Sequence, residues 1–478
     1  MRIILTLVLF FGTQCFLNAS RSFYFNQQIS NVDESEHLDF SLPNTIYNIS
    51  DHLDLRGKTI NVASRCCLNF VGGSISNGTL IGNETGIYAP FGKIFSSDLV
   101  LKGTFKSDKI PVSWWVSDEL NDNTNEVQSA LNAILLFSNR IFDFDKPVRI
   151  TDVSFSLKWS PGVKFTSSCN SNQGKLAITV FGQESHGLDI SATENLVFDN
   201  LIFFGDEDNP PKTLLFASRF VQNKQCPGHK FVDVTFCGKV TKALVYNYSG
   251  ESWYMDNCTF KLSNSSVCSS MYYATTINSL GLLSKFGNTE SDINPLTHSN
   301  FVRCIFYNAT SCASIHFEGA RNSFGKIKNV ASICFDKCYF YTPKSTSIRF
   351  SNVLGSIAIL NSIDESGADS KAMGSKPFYK IDGTMPIQVV TFLNNSIYSR
   401  KNSNILEASV PVINYNAQAN YIVNANGRWK FDQLYDSRHY GLSDIEIFEV
   451  TGNNKNVFIE GGNIKNIIIK SSYGNGNK

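Results

Sequence analysis

Along the middle of the chain a four-residue phrase recurs: a polar residue, then Leu, Val or Cys, then any residue, then Phe. It reads Asn200-Leu201-Ile202-Phe203, Asp233-Val234-Thr235-Phe236, Asn257-Cys258-Thr259-Phe260, Arg303-Cys304-Ile305-Phe306 and Lys337-Cys338-Tyr339-Phe340. Asn361-Ser362-Ile363-Asp364 and Asn395-Ser396-Ile397-Tyr398 are weaker echoes. The second positions fall at 201, 234, 258, 304, 338, 362 and 396, so the steps run from 24 to 46 residues. A repeat of roughly 20–50 residues marks a stacked architecture. Apolar positions alternate within each repeat, which is the period of a strand. The pattern predicts a β-solenoid in which each coil buries its inner face against its neighbours.

The same reading divides the chain. Residues 1–19 form a leader, and 20–110 hold short alternating strands such as Thr59-Ile60-Asn61-Val62 and Leu68-Asn69-Phe70. Gly72-Gly73 and Asn77-Gly78 supply tight corners between them. Residues 111–145 are a linker and a helix, with Val127, Ala130, Leu131, Ile134 and Leu135 spaced as one apolar face behind the polar Asp122-Asn123-Thr124. That face suits the open end of a solenoid, which would otherwise expose strand edges; Trp114-Trp115 would seat it. Strands return from 146 to 470, and 471–478 are a Gly/Asn tail.

Composition narrows the partners. Lys and Arg number 42 against 41 Asp and Glu, a net charge of +1. Nothing in that balance points to nucleic acid, and no phosphate loop or nucleotide fingerprint appears. Arg2, the apolar run Ile3–Phe11 and Leu17-Asn18-Ala19 have the layout of a secretory signal cut after Ala19. A lipoprotein cut before Cys15 is the alternative. The apolar run is too short to span a bilayer, and no later stretch is long enough. The mature protein is therefore expected to be secreted, periplasmic or held at the cell surface. Removing Cys15 from 12 cysteines leaves an odd number, so one at least is free or paired between chains. Cys258, Cys304 and Cys338 share one repeat position and read as small apolar residues stacked inside the coil.

The run Leu68-Asn69-Phe70-Val71-Gly72-Gly73-Ser74-Ile75, continuing through Asn77-Gly78, resembles the entry segment of secreted right-handed parallel β-helix proteins of the pectin-lyase-like superfamily, common in Bacteroidetes. Asn121-Asp122-Asn123-Thr124 with Val127-Gln128 and Ala130-Leu131 is similar to the capping helix of that superfamily. The resemblance covers the first ~140 residues by motif and the rest by repeat pattern. It implies an all-β, single-stranded right-handed parallel β-helix with a short N-terminal capping helix. It leaves function open, because the superfamily holds lyases, hydrolases, esterases, epimerases and adhesins.

Registering the coils on the repeat phrase suggests chemistry. Ile315-His316-Phe317-Glu318 and Ile348-Arg349-Phe350-Ser351 send apolar residues inward and His316 and Arg349 outward, with Tyr246 in the matching place. With insertions in their coils, Arg219 and Lys285 extend this into one outward column, and Tyr248, Glu318 and Ser351 form a second. Such a column fits an acidic polysaccharide, since guanidinium forks onto carboxylate or sulfate. The same groups suit β-elimination from a uronate: Arg349 or Arg219 neutralises the carboxylate, His316 removes the adjacent proton, and Tyr246 acts as acid or base. Lys285, Glu318 and Tyr248 would bind the chain, and Trp253 could stack on a sugar ring. One alternative is a non-catalytic glycan-binding or adhesion β-helix. The other is a glycoside hydrolase using Asp206, Asp208, Glu251 or Glu318. Gly182-Gln183-Glu184-Ser185-His186-Gly187 departs from the pattern of the fold's hydrolases, which counts against that reading. No cofactor is implied and no metal set stands out; Asp206-Glu207-Asp208 reads as a solvated turn before it reads as a Ca²⁺ site. A phage tailspike would share this fold, but the leader argues against one.

Overall fold

The computed structural model describes residues 28–470, apart from single positions and short segments, of which 219–227, 277–295, 368–375 and 432–442 are the longest. The predicted leader and tail therefore lie outside the described residues. The chain forms two compact units, one built mainly from residues up to Ile110 and one running from Arg140 to the end with residues 111–113 and 118–132.

In the first unit the parallel strands Gln28–Val32, Thr45–Ile49, Cys67–Phe70 and Gly78–Tyr88 lie in one sheet. Tyr47, Leu68, Phe70 and Leu80 are buried. On the opposite side Asn31, Asn48 and Asn69 form an amide ladder, with side-chain bonds of 3.1 and 2.7 Å. Trp114 and Trp115 pack on Phe95, at centroid distances of 6.3 and 5.2 Å.

The second unit is a parallel β-helix. Among the described residues its strands form three long sheets, of 13, 11 and 11 strands, and successive coils visit them in the same order. The repeat phrase marks the corner between the first and second sheets. Its polar residue is the corner itself: Asn200, Asp233, Asn257, Arg303, Lys337, Asn361 and Asn394 all have φ between 50° and 56°. A single left-handed residue turns the strand sharply, and Asn and Asp tolerate that conformation best. The next residue points inward, which buries Leu201, Val234, Cys258, Cys304 and Cys338. The phenylalanine two positions later joins an inward stack. Phe203, Phe236, Phe260, Phe306 and Phe340 lie ring on ring, at 5.3, 5.3, 4.9 and 5.2 Å.

The cysteines of the phrase are free thiols inside the coil, as a packing role requires. Each donates to a carbonyl of a neighbouring coil, at 3.6 Å from Cys258 to Phe231, 3.5 Å from Cys304 to Met255 and 3.4 Å from Cys338 to Phe301. Burial pushes the Cys304 thiol well up, so it stays protonated.

The last echo starts one residue earlier than its sequence suggests. Asn394 carries the positive φ, so Asn395 takes the cysteine position and Ile397 the phenylalanine position, opposite Asp364. Two adjacent asparagines made the register ambiguous. Asn395 is buried because its amide is spent there, donating to Ile359 O at 2.8 Å and to Asn420 Oδ1 at 3.0 Å.

The helix Thr124–Ala133 closes one end of this unit. Its polar start serves the open strand edge. Asn123 Oδ1 accepts from Arg149 N at 3.0 Å, Thr124 Oγ1 from Thr151 N at 2.9 Å, and Gln128 Oε1 from Ser154 N at 2.7 Å. Gln128 Nε2 in turn donates to Ser154 O at 3.0 Å. The outward backbone groups of Arg149, Thr151 and Ser154 thereby find partners at the start of the helix, with Arg149 O met by the backbone N–H of Asn123.

Two stability predictions follow from these contacts. Gln128→Ala leaves both backbone groups of Ser154 without their partner and should cost about 1–2 kcal/mol in urea unfolding. Lys337→Asn puts an αL-tolerant residue at a strained corner and should raise stability by about 0.5–1 kcal/mol; an unchanged or lower midpoint would mean the corner carries no strain.

Candidate functional site

The third sheet carries the predicted column. Strand pairing places Phe216, Tyr246, Tyr273, His316, Arg349, Lys380 and Glu407 in one row across consecutive coils. Ser218, Tyr248, Thr275, Glu318, Ser351 and Asp382 form the row beside it. Ile315, Phe317, Ile348 and Phe350 between these positions are buried, so the alternation that sends His316 and Arg349 outward holds.

Tyr246, His316 and Arg349 thus share a row, and Tyr248, Glu318 and Ser351 share the next. Arg219 and Lys285 lie outside the described residues, and their expected places are held by Phe216 and Tyr273. The register fails there because the extra residues of those coils follow the third-sheet strand, whereas the spacing had put them before it. Tyr273, Lys380 and Asp382 complete the rows and were missed. The phrase Tyr379-Lys380-Ile381-Asp382 repeats Ile348-Arg349-Phe350-Ser351, and that alternation was the available signal.

Burial divides the rows. Tyr246 and Tyr248 are covered, and the Tyr246 ring packs between Phe216 at 5.6 Å and Tyr273 at 5.1 Å. A covered tyrosine does not touch a sugar, which removes Tyr246 as the acid or base in this conformation. Trp253 is also in the core, 5.3 Å from Phe231 and 6.4 Å from Tyr272, so it offers no face for stacking. The open part of the rows begins at His316 and Glu318 and continues to Arg349, Lys380 and Glu407.

Asp382 is the hub of the open part. Its Oδ2 accepts from Arg349 Nε at 2.9 Å and lies 3.7 Å from Lys380 Nζ, and its Oδ1 accepts from Ser351 Oγ. His316 Nε2 lies 3.3 Å from the same Ser351 Oγ. Across the row Tyr273 donates to Glu318, stacks near His316 at 5.2 Å and receives Lys242 over its ring at 4.6 Å. Cations and carboxylates alternate here, so the patch is not the cationic stripe the sequence suggested. Arg349 keeps 43% of its side chain exposed and Lys380 36%. Guanidinium carries five N–H groups, so donors remain for a ligand beside those engaged by Asp382.

The acidic cluster resolves as a turn. Asp206 Oδ1 accepts from the backbone of Asp208 and Asn209 at 3.0 and 2.9 Å, and Oδ2 pairs with Arg149 at 2.8 Å. Those turn hydrogen bonds, Asn209's first, hold the Asp206 carboxyl below its ordinary range.

No protein-family model and no curated relative matches the chain. Two solved viral structures are similar to it at low identity. "Geobacillus virus E2 - ORF18" shares 11% identity over 77% of this chain and 62% of that one, with a TM-score of 0.40. "Siphovirus 9NA tailspike receptor binding domain" shares 8% over 96% and 79%, with a TM-score of 0.22. The chain thus spans less than two thirds of the first structure. Neither likeness is close enough to carry function, and the fold rests on the strand pairing itself.

Burial pulls the His316 imidazole down to about 4, so it is neutral at neutral pH. An unfolded imidazole takes up its proton near 6.5. Between those values the unfolded chain binds more protons than the folded one, so acid weakens the fold across that window. The His316 contribution to stability should fall as pH drops from about 6.5 towards 4, by about 1.4 kcal/mol per pH unit at most. His316→Gln should flatten that part of a urea-midpoint profile. A His316 resonance titrating near 6.5 would contradict the assignment.

Proposed function

We propose that this protein is a glycan-binding β-helix protein acting outside the cytoplasm, with its ligand lying along the open rows of the third sheet. One observation carries this reading: His316, Arg349 and Lys380 stand in register beside Glu318, Ser351 and Asp382. Donors and acceptors therefore recur at the coil spacing of about 4.8 Å. A polymer with hydroxyls and carboxylates along its length can meet such a face at several coils at once. Arg349 and Lys380 suit the carboxylates of an acidic polysaccharide, while Glu318 and Glu407 suit its hydroxyls. The leader-like start of the sequence supports export.

A second reading is β-elimination from a uronate-containing glycan, as a polysaccharide lyase would perform it. It is favoured by a neutral imidazole, able to accept a proton, one coil from Arg349. Tyr273, which takes the place expected of Lys285, stands on the other side of His316. Two features weigh against it. A base pulled down to about 4 is weak, and the Arg349 charge is already met by Asp382. Hydrolysis would draw on Glu318 and Asp382, but Asp382 is ion-paired and so poorly suited to act as the protonated acid.

Binding to a panel of acidic and neutral polysaccharides, measured by titration calorimetry, tests the proposal. Arg349→Ala and Lys380→Ala should each weaken binding of an acidic glycan by about tenfold or more, the worth of one charge-assisted hydrogen bond. Wild-type protein that binds no glycan, or variants that bind equally well, would overturn it. Growth of unsaturated-uronate absorbance with wild type, absent in His316→Ala, would move the assignment to the lyase.

A further inference from the structure

The second sheet presents a different outer face. One row runs Thr259, Ile305, Tyr339, Ile363, Ser396 and Tyr421, and the row beside it runs Lys261, Tyr307 and Tyr341. Ile305, Tyr307, Ile363 and Tyr421 are 43%, 40%, 41% and 39% exposed. Six coils at about 4.8 Å make a stripe about 24 Å long. Scattered exposed apolar residues are ordinary, but Ile305, Tyr339 and Ile363 on three successive coils, with Tyr307 and Tyr341 beside them, form one contiguous patch, and such a patch marks an interaction surface.

The occupant can be argued from ring geometry and charge. Tyr307 and Tyr341 stack on each other at 5.1 Å and 19°, so their faces cover one another and their edges point out. A sugar stacks on a free aromatic face; here the two inner faces cover one another and the Lys261 ammonium sits by Tyr307, whereas ring edges pack well against a protein surface. Charge flanks the tyrosine pair. Lys261 lies one coil before Tyr307, with its ammonium 6.0 Å from that ring. Glu365 lies on the coil after Tyr341 and accepts from Tyr339 OH at 2.7 Å. The order is cation, Tyr, Tyr, anion.

That order is self-complementary. A two-fold axis parallel to the strands, between the Tyr307 and Tyr341 coils, reverses the coil order in a facing copy. It sets Lys261 against Glu365, Tyr307 against Tyr341, Ile305 against Tyr339 and Thr259 against Ile363. Isologous pairing of one patch with itself is the commonest way soluble proteins associate. We infer that the second-sheet stripe is a homodimer interface, in which two copies pack face to face with their coil axes antiparallel. The third sheet stays open in each copy, so the dimer does not depend on the glycan reading.

Sedimentation equilibrium of the full chain tests the inference, with circular dichroism to show that each variant folds. Wild type should be a dimer, and Tyr307→Arg a monomer. Lys261→Glu and Glu365→Lys should each weaken the dimer by about tenfold, because each brings like charges together at both ends of the interface. The double variant Lys261→Glu/Glu365→Lys should regain most of the loss, since it restores opposite charges in reverse order. A monomeric wild type would overturn the proposal. So would a dimer that Tyr307→Arg leaves intact. A double variant no better than the singles would overturn the two-fold arrangement, and a monomer whose glycan binding is lost in Tyr307→Arg would give the stripe to the glycan instead.

Discussion

Seven successive coils of the β-helix depend on one left-handed residue at the same corner. At that corner the chain leaves the first sheet, and φ near +50° lets the next residue enter the interior without a loop. Everything downstream is counted from that point. The residue after the corner is buried, the phenylalanine two positions later stacks, and the second-sheet strand begins in fixed register. An L-residue pays about 1–2 kcal/mol to sit there, less when it is Asn or Asp. Side chains at the corners offset part of this cost along the axis. Asn361 donates to Asp336 at 2.8 Å, Asn394 donates to Asn361 at 3.0 Å, and Arg303 holds the Asp256 carboxylate through contacts of 2.6–3.0 Å. The corner residue is thus polar in these seven coils for two reasons, backbone conformation and a ladder between coils.

This is why the corner was legible in the sequence and the other turns were not. A one-residue corner allows no insertion, so its phrase survives from coil to coil and predicts the buried cysteines and the phenylalanine stack. The segments that follow the third-sheet strands vary in length, and counting across them misplaced Arg219 and Lys285. Tyr246, His316 and Arg349 registered correctly because the stretch from corner to third sheet stays nearly constant in their coils. Which outward residues are open was not legible at all. Tyr246 and His316 occupy the same row, yet one is fully buried and the other only half-buried, and alternation reports only which side of a sheet a residue faces. The end-capping contacts were half visible: the helix followed from its apolar spacing, but the use of Asn123, Thr124 and Gln128 on a strand edge needs the tertiary arrangement.

The two outer faces follow different physics. On the third sheet, charge is compensated locally: Asp382 gathers Arg349, Lys380 and Ser351, and Glu318 accepts a hydrogen bond from the Tyr273 hydroxyl. Such a face keeps hydrated, directional groups and gives up little apolar area, which suits a polar ligand. On the second sheet the outward patch is mainly Ile and Tyr, with Lys261 and Glu365 flanking the tyrosine pair. That face gains from losing water and is steered by its ends. A solenoid permits this separation because its sheets share a core while each outward row is set independently.

The coil carrying the open rows also departs from the aromatic core. In the phenylalanine row, Phe340 is followed by Asp364, which is fully buried. Its carboxylate accepts from Ser347 Oγ at 2.7 Å and from Ser366 N at 3.0 Å. Ser366 reaches Thr342 at 2.7 Å, and Ser345 bonds Ser314 at 2.9 Å, so hydroxyls line the interior across successive coils. Burial pushes Asp364 up to about 6 despite those donors. The folded state therefore holds this proton more tightly than the unfolded chain does. Its stabilising contribution is complete below about 4 and is lost as pH rises through about 6, opposite in sign to that of His316. Another stacked ring would contribute more to stability, since a buried carboxylate costs free energy even when hydrogen-bonded. What the polar network provides is direction. Ser347 immediately precedes the strand Ile348–Ser351, and Tyr379, which also bonds Asp364, opens the strand Tyr379–Asp382. A phenylalanine stack tolerates small rotations and slips, whereas hydroxyls bonded to one carboxylate do not. The strands that carry Arg349, Lys380 and Asp382 are therefore pinned from inside by hydrogen bonds, at the coils where the outward groups must keep a fixed spacing.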